Sequence, residues 1–546
     1  MRQPAQRRAV LAFFALTLSS SFALAQSAVG GPALFSERFE FENQSTAEPE
    51  LREFRLVSYF LTRITSTNQV ASPVGLQGVS LGPIGIDGGS FTRVQDDVAT
   101  FAEQRWIPYM IYKPNFFDGR IELHAQFEVD FAWGFGANTA VQNQGGGISA
   151  DQVNLQTKNV NAAFYPTGNP RQLAIVVGLQ SFYDSPKNPT NTLLDEIVQS
   201  GYKLAYMGSD VAGISVYGDS ELHRWRAAFL PIMAAQANLS EQDPRFSYAI
   251  FGTLDYAYKL TPVTALGFSY WFLNDSTDGT GNIFGTTVNN GPSNSAESLP
   301  FTGVGPFPVD AAEATIHFFG TNFQHNVGFA NGDFSLTGFA MLNIGSVSGD
   351  PVTANGPDDV SVFGLGANLE AQYRYGKTAG DIFTFETMYT TGDDDLTDDS
   401  YGGVFTMNYY GLPGAIWFNH KMLLLFPFTT TVSNYTGAVT DISNRGLGLL
   451  AGLGTAQYDL IDDRLNLKIG AGYARSMARP AREDGASSPG FSHGVEINAE
   501  LTYTWRYFMT VGAHVGYLAA GSFYDGNDRV TSDPWAGFLT LTWVGF

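Results

Sequence analysis

The sequence predicts an all-β fold, a transmembrane antiparallel up-and-down β-barrel of about 18 strands, or 20 if two weak segments also cross. Three observations predict it. Long stretches alternate apolar and polar residues with period two, short and long connections take turns along the chain, and the two ends carry export and assembly signals.

The stretch RIELHAQFEVDFAW, residues 120–133, shows the alternation best. Ile121, Leu123, Ala125, Phe127, Val129, Phe131 and Trp133 share one face, and Arg120, Glu122, His124, Gln126, Glu128 and Asp130 the other. Period two means an extended strand, and this one exceeds the usual length of about five or six residues. A tilted barrel strand needs about 9–11 residues to cross hydrocarbon. Because Lys or Arg on the lipid side costs about 2–4 kcal/mol near the midplane, the polar set is expected to face a wet lumen. FGLGANLEAQYRYG, VEINAELTYTW and RFSYAIFGTLDYAY repeat the pattern, with aromatics near strand ends where bilayer girdles sit.

Connections supply the second signal. Short links are expected at 114–119, 165–170, 259–262, 329–333, 376–380, 461–463 and around Arg506. Longer polar segments fall at 135–151, 183–201, 275–311, 347–359, 392–404, 427–445, 477–490 and 520–535. Outer-membrane barrels pair short periplasmic turns with long outer loops, so the long set is expected outside. The two weak strands, 404–410 and 416–426, decide between 18 and 20.

The ends supply the third. Arg2, Arg7 and Arg8 precede an apolar stretch from Ala9 to Leu18, and Ala23-Leu24-Ala25 has the form of a cleavage site, so residues 1–25 read as a signal peptide. Residues 26–50 are expected to be a periplasmic segment and 51–546 the barrel with its extracellular loops. Phe546, closing GFLTLTWVGF, reads as a signal for the barrel-assembly machinery, although Val544-Gly545-Phe546 breaks the alternation.

Composition excludes several classes. No Cys is present, which removes disulfide scaffolds and thiolate metal sites. Loss of three arginines and no acid with residues 1–25 takes the net charge from -22 to -25, a poor match for nucleic acid. The densest apolar run, MLLLFPF at 422–428, is too short to span as a helix. HExxH is absent, and GFSHG at 490–494 has no orienting partner in the sequence, so no enzyme and no cofactor are expected.

The residues expected to line the lumen are Arg55, Arg63, Arg105, His124, Glu128, Asp130, Glu370, Arg374, Lys468, Glu496 and Glu500, with Arg224 and Arg226 in a strand of ambiguous parity. Opposed acidic and basic ladders filter solutes by charge and dipole; alternatively, the same residues solvate and cross-link the wall. Glycine-rich residues 74–91 read as an infolded constriction or a surface loop, and 188–201 allow a short helix at the barrel mouth. Asp393, Asp394, Asp395, Asp398 and Asp399 crowd one outer loop. Of these, Asp393, Asp395, Asp398 and Asp399 are the candidate metal ligands, but the calcium-loop pattern is missing and a solvated acidic loop is expected.

GLQSFYDSPKNPTNTLLDEI, GSDVAGISVYG, RWRAAF and TTGDDDLTDD together resemble the outer-membrane porins of the alginate-export family. The resemblance implies a barrel of about 18 strands passing an anionic polysaccharide along an arginine-rich path. Here Arg55, Arg63, Arg105 and Arg374 are interleaved with acids, which departs from such a path. The expectation is a channel for hydrophilic solutes or a glycan, in contact with outer-membrane lipid and lipopolysaccharide. The alternative is a structural or adhesive barrel acting through its acidic outer loops.

Overall fold

The computed structural model describes residues 53–71, 92–133, 150–170, 172–183, 207–233, 249–276, 308–327, 329–395, 398–405, 407–408, 422–426, 438–439, 442–444, 446–479, 490–506, 509–526 and 530–545. The signal peptide and N-terminal segment, residues 74–91 and 188–201, and the terminal Phe546 lie outside them.

Strand formation follows the alternation. The strands are β1 (Phe54–Ala71), β2 (Thr92–Tyr112), β3 (Ile121–Trp133), β4 (Ala150–Phe164), β5 (Ala174–Tyr183), β6 (Met207–Asp219), β7 (His223–Met233), β8 (Ala249–Thr261), β9 (Thr264–Asp275) and β10 (Val309–His325). They continue as β11 (Phe334–Pro351), β12 (Asp359–Arg374), β13 (Ile382–Thr390), β14 (Ser400–Tyr401), β15 (Met407–Asn408), β16 (Leu449–Ile461), β17 (Leu465–Ser476), β18 (Ser492–Arg506), β19 (Met509–Ala520) and β20 (Trp535–Gly545). Strands β1 to β13 each pair antiparallel with the next, and β13 pairs with β16. The order then runs β16 to β20, and β20 returns to β1. The circuit is a closed 18-strand antiparallel barrel, which leaves no sheet edge unpaired.

Short turns close one end and longer connections the other, as expected from the sequence. At one short turn Asn326 adopts φ 53°, and its side-chain amide donates to the carbonyls of Asn331, Gly332 and Phe334 at 2.9, 3.1 and 2.8 Å. Asn tolerates this left-handed conformation because its side chain bonds locally.

The outward face is apolar. Trp106, Phe268, Phe363, Phe383, Ile497 and Trp505 are all exposed, with Trp505 at 59%. Exposed apolar side chains on this scale, distributed around a closed sheet, mark a lipid-facing surface. Tyr112, Phe164, Tyr258, Phe334, Tyr373, Tyr458 and Trp505 ring the short-turn end, and Trp133, Tyr389, Tyr473 and Tyr517 the other. These are the expected aromatic girdles.

Two features complete or correct the sequence reading. First, of the 18 or 20 strands the sequence allows, the barrel has 18: β13 pairs directly with β16, so 391–448 is one long connection rather than two outer loops separated by strands. Part of it folds into the barrel. The two-residue β14 pairs parallel with β12 and β15 parallel with β6, and between them Val404 and Phe405 are buried. The Phe405 amide donates to Asn343 Oδ1 of β11 at 3.1 Å, and its ring lies 6.4 Å from that of Phe318 on β10.

Second, the lumen is not polar throughout. Towards the long-loop end the inward residues include Trp271, Leu273, Ile316, Phe318, Met341 and Val362, all buried in one apolar cluster with Tyr401, Val404, Phe405 and Leu423 of the insertion. The insertion removes these wall positions from water, so apolar side chains are favoured on both faces there. Adjacent Phe318 and Phe319 show the result: the first is buried inward and the second 42% exposed to the lipid side.

Candidate functional site: the charged inner wall

A polar belt runs over eight neighbouring strands and across the seam where the barrel closes. On β17 to β20, Lys468 pairs with Glu500, His514 Nδ1 lies 2.6 Å from the other Glu500 oxygen, and His514 Nε2 lies 3.0 Å from Thr540 Oγ1. Thr540 stands opposite Arg63 in the β1–β20 register. Arg63 pairs with Glu103 of β2 and places its guanidinium 5.2 Å from the Phe538 ring centroid.

The belt continues on β2 to β4. Arg105 makes a two-pronged contact with Asp130 (Nε to Oδ1 2.9 Å, Nη2 to Oδ2 2.8 Å) and reaches Glu128 at 3.0 Å. Lys158 approaches Glu128 from β4 at 3.4 Å. Lys158 faces inward through a bulge: Gln126 pairs with Asn159 and Phe127 with Thr157, leaving Lys158 as the extra residue, so Lys158 and Asn159 are both buried. Arg105, Glu128, Asp130 and Lys158 are each no more than 3% exposed. Burial makes such pairs geometrically demanding, since each charge relies on its partner rather than on water.

The remaining candidates are dispersed. His124 sits nearer the short-turn end, with Nδ1 3.1 Å from Asn161 Oδ1 and Nε2 3.3 Å from Glu122, which also takes Lys113 at 3.0 Å and the Tyr165 hydroxyl at 2.9 Å. Arg55 is half-buried near the start of β1, on the same inward parity as Arg63. Arg374 lies at the short-turn rim, donating to Asp333 at 3.0 and 2.8 Å and covering Phe329, so it braces a turn. Glu370 on β12 faces Glu386 on β13 in register, and Asn368 donates to Glu386 at 2.8 Å. Arg226 points inward and pairs with Asp255 at 2.8 Å, while Trp271 Nε1 donates to the same carboxylate at 2.9 Å; Arg224 holds Asp219 at 3.0 Å.

Glu496 belongs to a different arrangement. Its carboxylate accepts the backbone amides of Leu423, Leu424 and Leu425 from the insertion at 2.7, 3.0 and 2.5 Å. His493, in the GFSHG motif, is also buried by the insertion: Nε2 lies 3.2 Å from Asn444 Nδ2 and Nδ1 3.2 Å from the Tyr524 hydroxyl.

The acidic loop folds on itself. Asp393 accepts the amides of Asp395 and Gly402 at 2.9 and 2.6 Å, and Asp398 accepts the amide and hydroxyl of Ser400, both at 2.9 Å. Burial, with the neighbouring Asp398 and Asp394, pushes the Asp393 carboxyl up against the pull of those amides. No group of three or more His, Asp or Glu is poised to hold a metal among the described residues.

Sequence reasoning missed Glu103, Lys158, Glu386 and His514, while Glu122 and Asp255 lie on polar strand faces but were not singled out as lumen candidates. Lys158 was hidden by the bulge. Glu103 was masked because the inward positions of β2 mix Phe101, Ile107 and Tyr109 with the charges, which erases the alternation.

The closed sheet, its apolar exterior and its charged interior define a transmembrane β-barrel. No protein-family model matches the sequence, and no curated protein does. Solved structures similar to the chain include OpdL of Pseudomonas aeruginosa, with TM-score 0.45 and 11% identity over 90% of this chain and 99% of that one. OccK8 (OprE) of the same organism gives 0.44 and 11%, over 90% and 98%. OccAB1 of Acinetobacter baumannii gives 0.44 and 12%, over 91% and 97%. The assignment as a membrane barrel rests on the chain's own closed sheet and exterior.

Proposed function

We propose that this protein is an outer-membrane channel that passes hydrophilic solutes by diffusion. The observation that carries the reading is the closed 18-strand barrel with lipid-facing aromatics outside and charged side chains inside; barrels of about 16–18 strands enclose an aqueous lumen. In this reading residues 1–25 direct export, the assembly machinery recognises the C-terminal strand, and the outer loops meet lipopolysaccharide. The inner-wall pairs then set a local field that a passing solute samples. Because Arg63, Arg105, Lys158, Arg226 and Lys468 each have an acidic partner, neither sign of solute is strongly favoured. A glycan or anionic polysaccharide as the solute draws support from the short sequence motifs alone.

A second reading, a structural or adhesive barrel with a blocked lumen, is favoured by the apolar packing of the insertion inside the wall. Single-channel recording of the mature chain in a planar bilayer separates the two. Discrete conductance steps with a reversal potential in a salt gradient support the channel. Silence from a heat-modifiable, folded barrel overturns it.

A further inference from the structure

We propose that Glu496 is a latch that holds residues 422–426 against the inner wall, and that release of this segment sets how much current the barrel carries; the second half rests on the channel reading above. Three successive backbone amides of the segment converge on one carboxylate at 2.5–3.0 Å, and Asn498 Nδ2 donates to it at 2.9 Å. Consecutive N–H groups aimed at one anion form a concave anion-binding nest, and their bonds to a charged acceptor are stronger than neutral ones.

The wall is shaped to receive the segment. In register beside Glu496 and Asn498 stand Gly472 of β17 and Gly516 of β19. A Cβ at Gly472 would come within 2.7 Å of Met422 Sδ, and one at Gly516 within 3.2 Å of Leu423 Cβ. A larger residue at either position would press on the docked segment. The segment is also braced by a second stretch, where the amides of Ala438 and Val439 donate to the carbonyls of Leu424 and Leu425 at 2.7 and 2.9 Å. Residues 422–426 and 438–439 therefore form a small paired unit docked on β17 to β19 through Glu496.

The chemistry suits reversible docking. When docked, the buried carboxylate exchanges water for four donors; when released, it and the three amides face the lumen and regain water. Neither state leaves a charge buried without donors, so the equilibrium turns on the strength of the carboxylate bonds and the apolar burial of Leu423, Leu424 and Leu425.

The test uses the full mature chain with Glu496→Gln and, separately, the pair Leu423→Cys with Gly516→Cys. The chain has no native Cys, and the 3.2 Å Cβ separation is within a few tenths of an ångström of the roughly 3.5–4.5 Å of a disulfide. Hydrogen exchange at the amides of 423–425 is read alongside single-channel current. Glu496→Gln is expected to speed exchange at those amides by about tenfold while the ladder of β18 stays protected, and to raise the fraction of time at high conductance. The oxidised cysteine pair is expected to slow that exchange and hold one low conductance level, with reductant restoring the transitions; the same pair in the Glu496→Gln background covers the case where the single variant folds poorly. Unchanged exchange in Glu496→Gln overturns the latch. Altered exchange with identical current in the oxidised and reduced pair overturns the gating role. Altered exchange with no current from any form removes the channel reading and leaves the latch standing.

Discussion

Replacement of Arg105 by Ala tests the polar belt at its most buried point. The guanidinium bridges Asp130 through two bonds of 2.9 and 2.8 Å and reaches Glu128 at 3.0 Å, while the two carboxylates are 1% and 3% exposed. With charge centres about 4 Å apart and an effective dielectric of about 20, each pair contributes about 4 kcal/mol of attraction, set against a desolvation cost of similar size. Removing the cation leaves that cost uncompensated. Lys158, 3.4 Å from Glu128, remains beside that acid, so the loss of the guanidinium falls mainly on Asp130. A destabilisation of about 3–5 kcal/mol follows for Arg105→Ala, whereas Arg105→Met with Asp130→Leu, which removes both partners, is expected near neutral. Reversible urea unfolding of the barrel in lipid vesicles, followed by tryptophan fluorescence and by gel mobility without boiling, measures both. A loss below about 1 kcal/mol for Arg105→Ala, typical of exposed pairs, would refute the reasoning and place the belt in bulk-like lumen water.

Further outcomes follow from the same geometry. Leu369→Arg, on the lipid side of β12, is expected to cost about 2–4 kcal/mol near the midplane, read by the same unfolding assay; a neutral result would contradict the outward assignment of that face. Gly516→Leu is expected to dislodge Leu423 and Leu424, which a Cβ there meets at 3.2–3.4 Å, and protease accessibility of residues 422–426 measures it. Asp393 has a raised carboxyl pKa, caused first by burial, so the stability it contributes is fully present below the ordinary carboxylate pKa and is lost as pH rises through its raised value. The stability difference between wild type and Asp393→Ser is therefore expected to fall as pH rises through that range; a difference that grows instead would reverse the assigned sign. At the short-turn end Asp381 behaves oppositely: burial raises its carboxyl, but the amides of Asp459, Thr378 and Lys377 outweigh it and hold the group low. Its contribution is present above the ordinary carboxylate pKa and lost as pH falls through the lowered value, which carbon-13 carboxyl titration reads directly.

Much of the barrel was legible because lipid and lumen impose opposite demands on adjacent residues. That is why β3, β12 and β18 could be read residue by residue, with Glu128, Glu370 and Glu500 on the buried face of their strands. Legibility failed where a third environment entered. Inward Phe318, Met341 and Val362 face neither lipid nor water but the insertion, so period two dissolves there and the MLLLF run resembles a weak strand. It failed again at the β4 bulge, where one extra residue turns Lys158 inward.

The candidate site divides in the same way. In the strands that alternate cleanly, sequence alone determined which residues could carry charge inside the barrel, since parity along a strand is a local property. Which charges meet is a matter of register between strands: Arg105 with Asp130, Lys468 with Glu500, Arg63 with Glu103 across 40 residues. Only the closed circuit brings Thr540 beside Arg63 at the seam, and only the inward fold of the insertion sets three amides on Glu496. Local alternation chooses the face; closure and long-range packing choose the partner, because neither has a signature within one strand.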